Sequence, residues 1–188
     1  LHPYFQAQAR PDQAAIIMAG TGETISYQQL DQRSCQAAQL FRAQGLQRGD
    51  HIAFLFDNHP RFCEVVWGAQ RAGLYYTPIS YYLQPDEIEY IIDNCGAKIL
   101  IVAEKFADKV RPILSKLKNV KAVYAVDSAF YGLPLWEAEI AKMPVESIAD
   151  ESEGREMLYS SGTTGRPKGI KFPLSEGTIG TPQDIVRS

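Results

Sequence analysis

Short apolar runs alternate with helix-period segments between Asp50 and Asp127. The runs lack the strict alternation of a strand with one face in water, so each predicts a strand buried on both faces. They are His51 to Phe56, Leu74 to Thr77, Ile99 to Ala103 and Ala122 to Val126. Buried strands separated by helices are typical of an α/β fold, in which a mostly parallel sheet is flanked by helices.

Three segments have the apolar spacing of amphipathic helices. They are Tyr27 to Gln44, ended by Gly45; the segment from Phe62 to Ala69, with Pro60 expected in its first turn; and Ile88 to Cys95, preceded by Pro85 and ended by Gly96. Glycine ends a helix easily and proline suits its first turn. Upstream, Ala14 to Met18 and Glu23 to Ser26 predict a hairpin.

Composition narrows the class of protein. The 188 residues carry a net charge of −3, so there is no excess of cations for a nucleic-acid partner. No apolar run approaches the roughly 20 residues of a membrane span. The chain starts at Leu1, so we expect a start residue or short segment to be missing, and we expect no export signal because no basic-then-apolar segment opens the sequence. Cys35, Cys63 and Cys95 have no paired spacing, which favours reduced thiols and a cytoplasmic protein.

Other polar and aromatic residues have structural explanations. His51 and His59 lack a neighbouring acid and nucleophile, so we expect structural or surface roles. Acidic residues at Asp86, Glu87 and Glu89 favour a helix start without any catalytic function. Four tyrosines around Pro78 predict packing between subdomains, with a base-stacking platform as the alternative. They are Tyr75, Tyr76, Tyr81 and Tyr82.

The segment from Tyr159 to Gly169 is hard to explain by folding alone, because its eleven residues include three glycines and two cations among Ser and Thr hydroxyls. Glycines let successive backbone amides point inward, and hydroxyl and ammonium groups add donors, which is what a polyphosphate requires. It is not the familiar P-loop, because Pro167 stands where glycine is needed and Gly169 follows Lys168. Ile170 to Pro173 favour an extended segment next. A plain surface loop between two strands remains the alternative.

The same eleven residues resemble, nearly letter for letter, the phosphate-binding signature of the adenylate-forming superfamily. That superfamily includes acyl-CoA synthetases, aryl-CoA ligases, luciferases and the adenylation domains of peptide synthetases. Further segments resemble the family in order along nearly the whole chain: Ile25 to Leu30, Gly45 to Ala53, Asn58 to Pro60, Gly68 to Gly73, Tyr76 to Ser80 and Asp93 to Lys98. The chain resembles the first part of the large N-terminal domain of such enzymes.

The resemblance implies a reaction in two steps. A carboxylate attacks the α-phosphorus of MgATP to form an acyl-adenylate, which a thiol, usually that of CoA, then captures. ATP, Mg²⁺ and CoA are the implied cofactors. The implied phosphate-binding residues are Ser160, Ser161, Gly162, Thr163, Thr164, Gly165, Arg166, Pro167, Lys168 and Gly169. Ser161, Thr163, Thr164 and Lys168 would hold the phosphates, whereas Arg166 is expected to be a secondary contact or exposed.

The resemblance also sets the expected organisation. Residues 1–150 form an N-terminal α/β subdomain, and residues 151–188 carry the phosphate loop and the start of the next subdomain. No complete catalytic set and no metal ligands are implied within this chain. The parts that relatives carry downstream are absent, so the fragment alone is expected to be inactive. A homodimer is possible.

Three hypotheses about the function stay open. Ile79 to Glu87 looks most like bacterial fatty-acyl-CoA synthetases, which favours a fatty or related acid and CoA. No Ser/Thr-His pair follows Gly169, although many relatives have one, so the subfamily is open. An acyl-AMP ligase or an adenylation domain that loads a carrier protein is the second hypothesis. A truncated, non-catalytic interaction module is the third.

Overall fold

The computed structural model describes residues 2–160 and 166–180. In these ranges the helices are α1 (Pro3–Ala9), α2 (Tyr27–Ala43), α3 (Phe62–Arg71), α4 (Pro85–Cys95), α5 (Ala107–Val110) and α6 (Trp136–Ile140). The strands are β1 (Ala14–Ile17), β2 (Thr24–Ser26), β3 (His51–Leu55), β4 (Tyr75–Pro78), β5 (Ala97–Ala103), β6 (Ala122–Val126), β7 (Arg155–Tyr159) and β8 (Gly169–Lys171). Every predicted strand and helix has a counterpart among these elements.

A six-stranded sheet in the order β6-β5-β3-β4-β7-β8 lies at the centre. The first five of these strands are parallel, and β8 is antiparallel to β7. β3 is buried at every residue, as its unbroken apolar pattern predicted. The predicted α/β fold with a mostly parallel sheet is confirmed, and β1 and β2 form the predicted hairpin beside it.

The chain leaves β3 for β4 on one side and then crosses to β5 on the other side. Because such crossovers are almost always right-handed, α3 and α4 cover opposite faces of the sheet. α2 packs against α1, α3 and α6, whereas α4 packs against α5, β5 and β8. The contact of α2 with α3 is close at Gly68, where an added Cβ would lie 2.5 Å from Ala37 Cβ.

Local signals fix the helix ends. Ser26 Oγ accepts the Gln29 N–H at 3.2 Å and the Gln29 side chain accepts the Ser26 N–H at 2.9 Å, which forms a capping box for α2. Gly96 ends α4 with a φ of 70°, as predicted. Pro60 does not lie in the first turn of α3, because the helix begins at Phe62. The Phe62 N–H instead donates to His59 O at 3.1 Å, so Pro60 occupies the second position of a tight turn before the helix.

A buried arginine positions the segment that leads into β7. Arg71 is fully buried in α3 and forms ion pairs with Asp31 of α2 and with Glu151, the latter at 2.6 Å. The Gly154 N–H then donates to Gln70 O at 2.8 Å. These contacts bring residues 151–154 against the end of α3, so the chain enters the sheet beside β4.

The division into residues 1–150 and 151–188 stays a prediction. β7 and β8 do lie in the same sheet as the strands before them.

Candidate functional site

The glycine-rich segment connects two paired strands. Tyr159 at the end of β7 lies opposite Gly169 at the start of β8, so residues 160–168 form the connection between them. The Ser160 N–H donates to Lys168 O at 3.0 Å and closes the base of this loop. Because β7 is parallel to β4, the loop leaves the carboxyl ends of the parallel strands, which is where α/β proteins bind ligands.

The described part of the loop comprises Ser160 and residues 166–169. Ser161, Gly162, Thr163, Thr164 and Gly165 lie outside the described residues, so their assignment to phosphate binding stays a prediction. The phosphate-binding role of Ser160, Arg166, Pro167, Lys168 and Gly169 also stays a prediction.

Lys168 is the described loop residue best suited to bind an anion. Its side chain is exposed, and within residues 2–160 and 166–180 no acidic group lies within ion-pair distance of its ammonium. Its backbone oxygen is held by Ser160, whereas its side chain is available. An ammonium on a fixed backbone position can donate to phosphate oxygens without first breaking another ion pair.

Gly169 has a packing role whatever the loop binds. A Cβ at this position would lie 2.5 Å from Met157 Cε and 2.9 Å from Tyr159 Cζ. The side chains of β7 therefore cross over the backbone of β8 at this point. Pro167 is buried, whereas Arg166 is exposed, as expected, with its guanidinium carbon 5.1 Å from the centre of the Tyr90 ring.

A cleft of about 500 Å³ lies along α4 beside Arg166 of the loop. It is lined by Asp86, Glu89, Tyr90, Asp93, Asn94 and Arg166. Three carboxylates on one wall disfavour a polyphosphate in this cleft, because like charges would face each other.

The acidic residues at the start of α4 serve the helix. Asp86 and Glu87 lie in its first turn, and the Glu87 side chain accepts the Gln84 N–H at 2.9 Å. Glu89 pairs with Lys116 at 3.1 Å. Asp86 thus lies at the positive end of the helix dipole, and Glu87 and Glu89 have structural contacts.

Neither histidine has a free nucleophile beside it in the described part of the chain. His59 Nδ1 accepts the Arg61 N–H at 3.1 Å, so the proton on Nε2 faces the Asp127 carboxylate at 3.0 Å. His51 lies at the opposite end of β3, stacked on Tyr75 with ring centroids 4.7 Å apart. Burial, and then the charge of Lys171, lower the pKa of His51 to about 4.

The four tyrosines around Pro78 do not form one cluster. Tyr75 and Tyr76 are buried in β4, whereas Tyr81 stacks on Phe106 with centroids 5.5 Å apart. Tyr82 is 78% exposed. Tyr75, Tyr76 and Tyr81 pack against neighbouring residues, whereas Tyr82 projects from the loop after β4. Packing between subdomains stays a prediction.

Two contacts of the loop with α4 were not foreseen from the sequence. Tyr159 Oη donates to Asn94 Oδ1 at 2.6 Å, and Arg166 covers Tyr90. The spacing of Tyr90 and Asn94, four positions apart on one helix face, was the available signal. Nothing in the sequence indicated which strand would meet that face.

The described residues bring no group of three or more His, Cys, Asp or Glu side chains into a metal-binding arrangement. None of the helices in the described ranges is both long and apolar enough to cross a membrane.

The fold and the loop define a class: an α/β domain with a glycine-, serine- and threonine-rich loop at the carboxyl ends of its parallel strands. Residues 4–175 match the family of AMP-binding enzymes, and the chain belongs to that family. This confirms the resemblance to adenylate-forming enzymes.

Curated relatives are similar along most of this chain. The fatty acid–[acyl-carrier-protein] ligase ScoC of Streptomyces coeruleorubidus is 27% identical over 168 residues, which cover 88% of this chain and 31% of that protein. The 4-coumarate–CoA ligase 2 of Petroselinum crispum is 30% identical over 162 residues, which cover 85% of this chain and 29% of that protein. The chain thus spans about a third of the length of each of these two ligases.

Solved structures share the fold. The anthranilate CoA ligase AuaEII in complex with anthranoyl-AMP superposes with a TM-score of 0.82 at 23% identity, over 89% of this chain and 33% of that chain. A Mycobacterium tuberculosis fatty acyl CoA synthetase superposes with a TM-score of 0.76 at 22% identity, over 90% of this chain and 33% of that chain. Both likenesses confirm the predicted architecture of an N-terminal domain of this family.

Proposed function

We propose that the protein containing this chain is an ATP-dependent acid–thiol ligase that activates a fatty or related carboxylic acid. Membership of the AMP-binding family supports this proposal. The observation that carries it is the β7–β8 loop, which presents the exposed Lys168, without an ion-pair partner among the described residues, at the carboxyl ends of the parallel strands.

In the proposed reaction, a carboxylate oxygen of the acid attacks the α-phosphorus of ATP. The bond from the α-phosphorus to the bridging oxygen breaks, and pyrophosphate leaves with its electron pair. A thiol sulfur then attacks the acyl carbon, the thiol loses its proton, and AMP leaves. Negative charge accumulates on pyrophosphate in the first step, so donors fixed around the β- and γ-phosphates lower the barrier by electrostatics and positioning.

The loop would supply those donors. We assign phosphate contacts to Lys168 and to three hydroxyl residues, with two glycines forming the bend. These are Ser161, Thr163 and Thr164 for the hydroxyls and Gly162 and Gly165 for the bend. Ser160 and Gly169 would contribute through the paired base of the loop.

Mg²⁺ enters this proposal only as part of the substrate MgATP. The described residues hold no carboxylate or histidine cluster suited to a resident metal, so no step is assigned to one. The homodimer stays a prediction.

The thiol acceptor has two candidates. We propose CoA, because feruloyl-CoA synthase of Amycolatopsis sp is 28% identical over 180 residues. A carrier protein is the alternative, because the relative ScoC is named as a fatty acid–[acyl-carrier-protein] ligase.

The first experiment is ATP–pyrophosphate exchange with the full-length protein and a panel of fatty and aromatic acids. Exchange is expected only when a carboxylate is present. Separate additions of CoA and of a phosphopantetheinylated carrier protein then identify the acceptor. Exchange without any acid would count against the acid-dependent ligase. No exchange with any of the acids would count against it too, and would favour a non-catalytic module.

Lys168→Ala tests the loop directly. Removing one donor to the developing charge is expected to lower kcat/KM for ATP on the order of 100-fold. Because Lys168 is exposed, the melting temperature should stay within a degree or two of the wild type. Lys118→Ala is the matched control, because it removes another exposed lysine with the same change of charge. Equal activity of the Lys168 variant and the control would contradict the assignment.

A further inference from the structure

The base of the loop is tied to α4 by a hydrogen bond between side chains. Tyr159, the last residue of β7, donates its hydroxyl to Asn94 Oδ1 at 2.6 Å. Burial raises the pKa of Tyr159, so the hydroxyl keeps its proton and remains a donor through the physiological range. Asn94 itself is exposed, so the core does not need its side chain.

The other end of the loop meets the same helix one turn away. The Arg166 guanidinium lies over the Tyr90 ring at 5.1 Å, within the range of a cation–π contact. Tyr90 and Asn94 are four residues apart and therefore lie on one face of α4. This face of α4 contacts one residue before the loop segment 160–165 and one residue after it.

We infer that Asn94 and Tyr90 are positioning residues that fix the phosphate loop to α4 through Tyr159 and Arg166. The inference rests on the proposed function, because it assigns these residues a part in binding ATP. The base of a hairpin loop can twist about its strands, and the distance from Lys168 to the phosphates depends on that twist. Fixing the base to a helix restricts the loop before ATP arrives, so less conformational entropy is lost on binding.

Asn94→Ala and Tyr159→Phe each remove the hydrogen bond with little other change. Alanine is a better helix former than asparagine, so the first variant should not weaken α4. Phenylalanine keeps the aromatic ring beside Gly169. Tyr131→Phe is the matched control, because it removes a tyrosine hydroxyl that donates to Asp108 at 2.8 Å on an exposed surface.

The first arm measures ATP–pyrophosphate exchange with the full-length protein. Each variant should lower kcat/KM for ATP by about tenfold, the effect of losing one positioning hydrogen bond, while the KM for the acid stays unchanged. The double variant should be no worse than either single variant, because both remove the same bond. Tyr131→Phe should match the wild type. Wild-type kinetics in both single variants, or losses that multiply in the double variant, would overturn the inference while leaving the proposed function intact.

The second arm needs no activity and uses trypsin on the folded chain. Trypsin can cut after Lys168, whereas Pro167 protects the bond after Arg166. Loss of the bond to Asn94 should speed cutting at Lys168 by about fivefold in both single variants. Asn94→Asp, which retains an acceptor, should restore the wild-type rate. If the wild type shows no exchange, the proposed function fails, and this arm alone decides whether α4 fixes the loop. An unchanged rate of cutting at Lys168 in both single variants would refute the inference that α4 fixes the loop.

Discussion

Protonation of the buried His51 in acid should destabilise this domain. Its ring stacks on Tyr75, and its Nε2 lies 3.0 Å from Lys171 Nζ. Because an ammonium can only donate, Nε2 must accept and the ring proton must be on Nδ1, which is buried and has no hydrogen-bond partner in the described structure. A second proton would place a cation in a buried site beside the Lys171 ammonium.

The magnitude follows from the pKa of His51. Burial first, and then the Lys171 charge, lower this pKa from 6.5 to about 4, with Asp50 opposing the change. Folding thus favours the neutral ring. Its contribution to stability is complete above pH 6.5 and is lost as the pH falls from about 6.5 to about 4. One pKa unit corresponds to about 1.36 kcal/mol, so the full loss is about 3 kcal/mol.

Urea unfolding between pH 4 and pH 8, followed by tryptophan fluorescence, measures this loss. His51→Phe keeps an aromatic ring against Tyr75 but cannot titrate. The unfolding free energy of the wild type minus that of this variant should fall by about 3 kcal/mol across the window. The subtraction cancels the contribution of His2 to the pH dependence. Burial also lowers the pKa of His2, to about 3. A constant difference, or an NMR titration of His51 centred near 6.5, would refute the reasoning.

Two further predictions concern buried positions. Gly154→Ala should lower the unfolding free energy by about 2 kcal/mol or more, because its Cβ would lie 2.5 Å from Leu74 O and 2.7 Å from Ala69 O. Gly20→Ala, with no atom within 4 Å, is the control in the same urea assay, and equal losses in both would contradict the packing argument. Burial is the main cause that raises the pKa of Glu64 to about 7, so ionisation of this carboxyl should cost stability as the pH rises from 4.5 to about 7, in opposition to the contribution of His51. Over that range the unfolding free energy of Glu64→Gln minus that of the wild type should rise by about 3 kcal/mol. A constant difference would show that the folded protein does not destabilise the carboxylate.

The strands and helix ends were predictable because their causes are local. β3 and β5 are buried on both faces, and burial on both faces leaves an unbroken apolar run in the sequence. Gly96 was predicted to end α4 because glycine adopts a φ of 70° without strain. The prediction that Pro60 lies in the first turn of α3 was wrong, because proline suits the second position of a turn as well as the first turn of a helix.

The position of β7 was not predictable from its own residues. Its five positions include Arg155 and Glu156, and only Met157 is fully buried. What brings it beside β4 is the fit of residues 151–154 against α3, through the ion pair of Glu151 with Arg71 and the close approach of Gly154 to Leu74 O. Such a fit depends on pairs far apart in the chain, and a single sequence does not reveal pairings of that kind.

For the candidate site, the chemistry was predictable from the sequence, whereas the geometry was not. The residue types of the loop indicated an anion, because glycines, hydroxyls and a lysine supply donors wherever the loop lies. The direction of those donors depends on what holds the base of the loop, and Tyr159 and Asn94 are 65 positions apart. A motif can therefore identify the ligand class while leaving the position of Lys168 undetermined. If α4 sets that position, substitutions at Asn94 should change the affinity for ATP, although Asn94 lies outside the segment proposed to bind phosphate. This dependence on Asn94 distinguishes a loop positioned by α4 from a loop that α4 does not position.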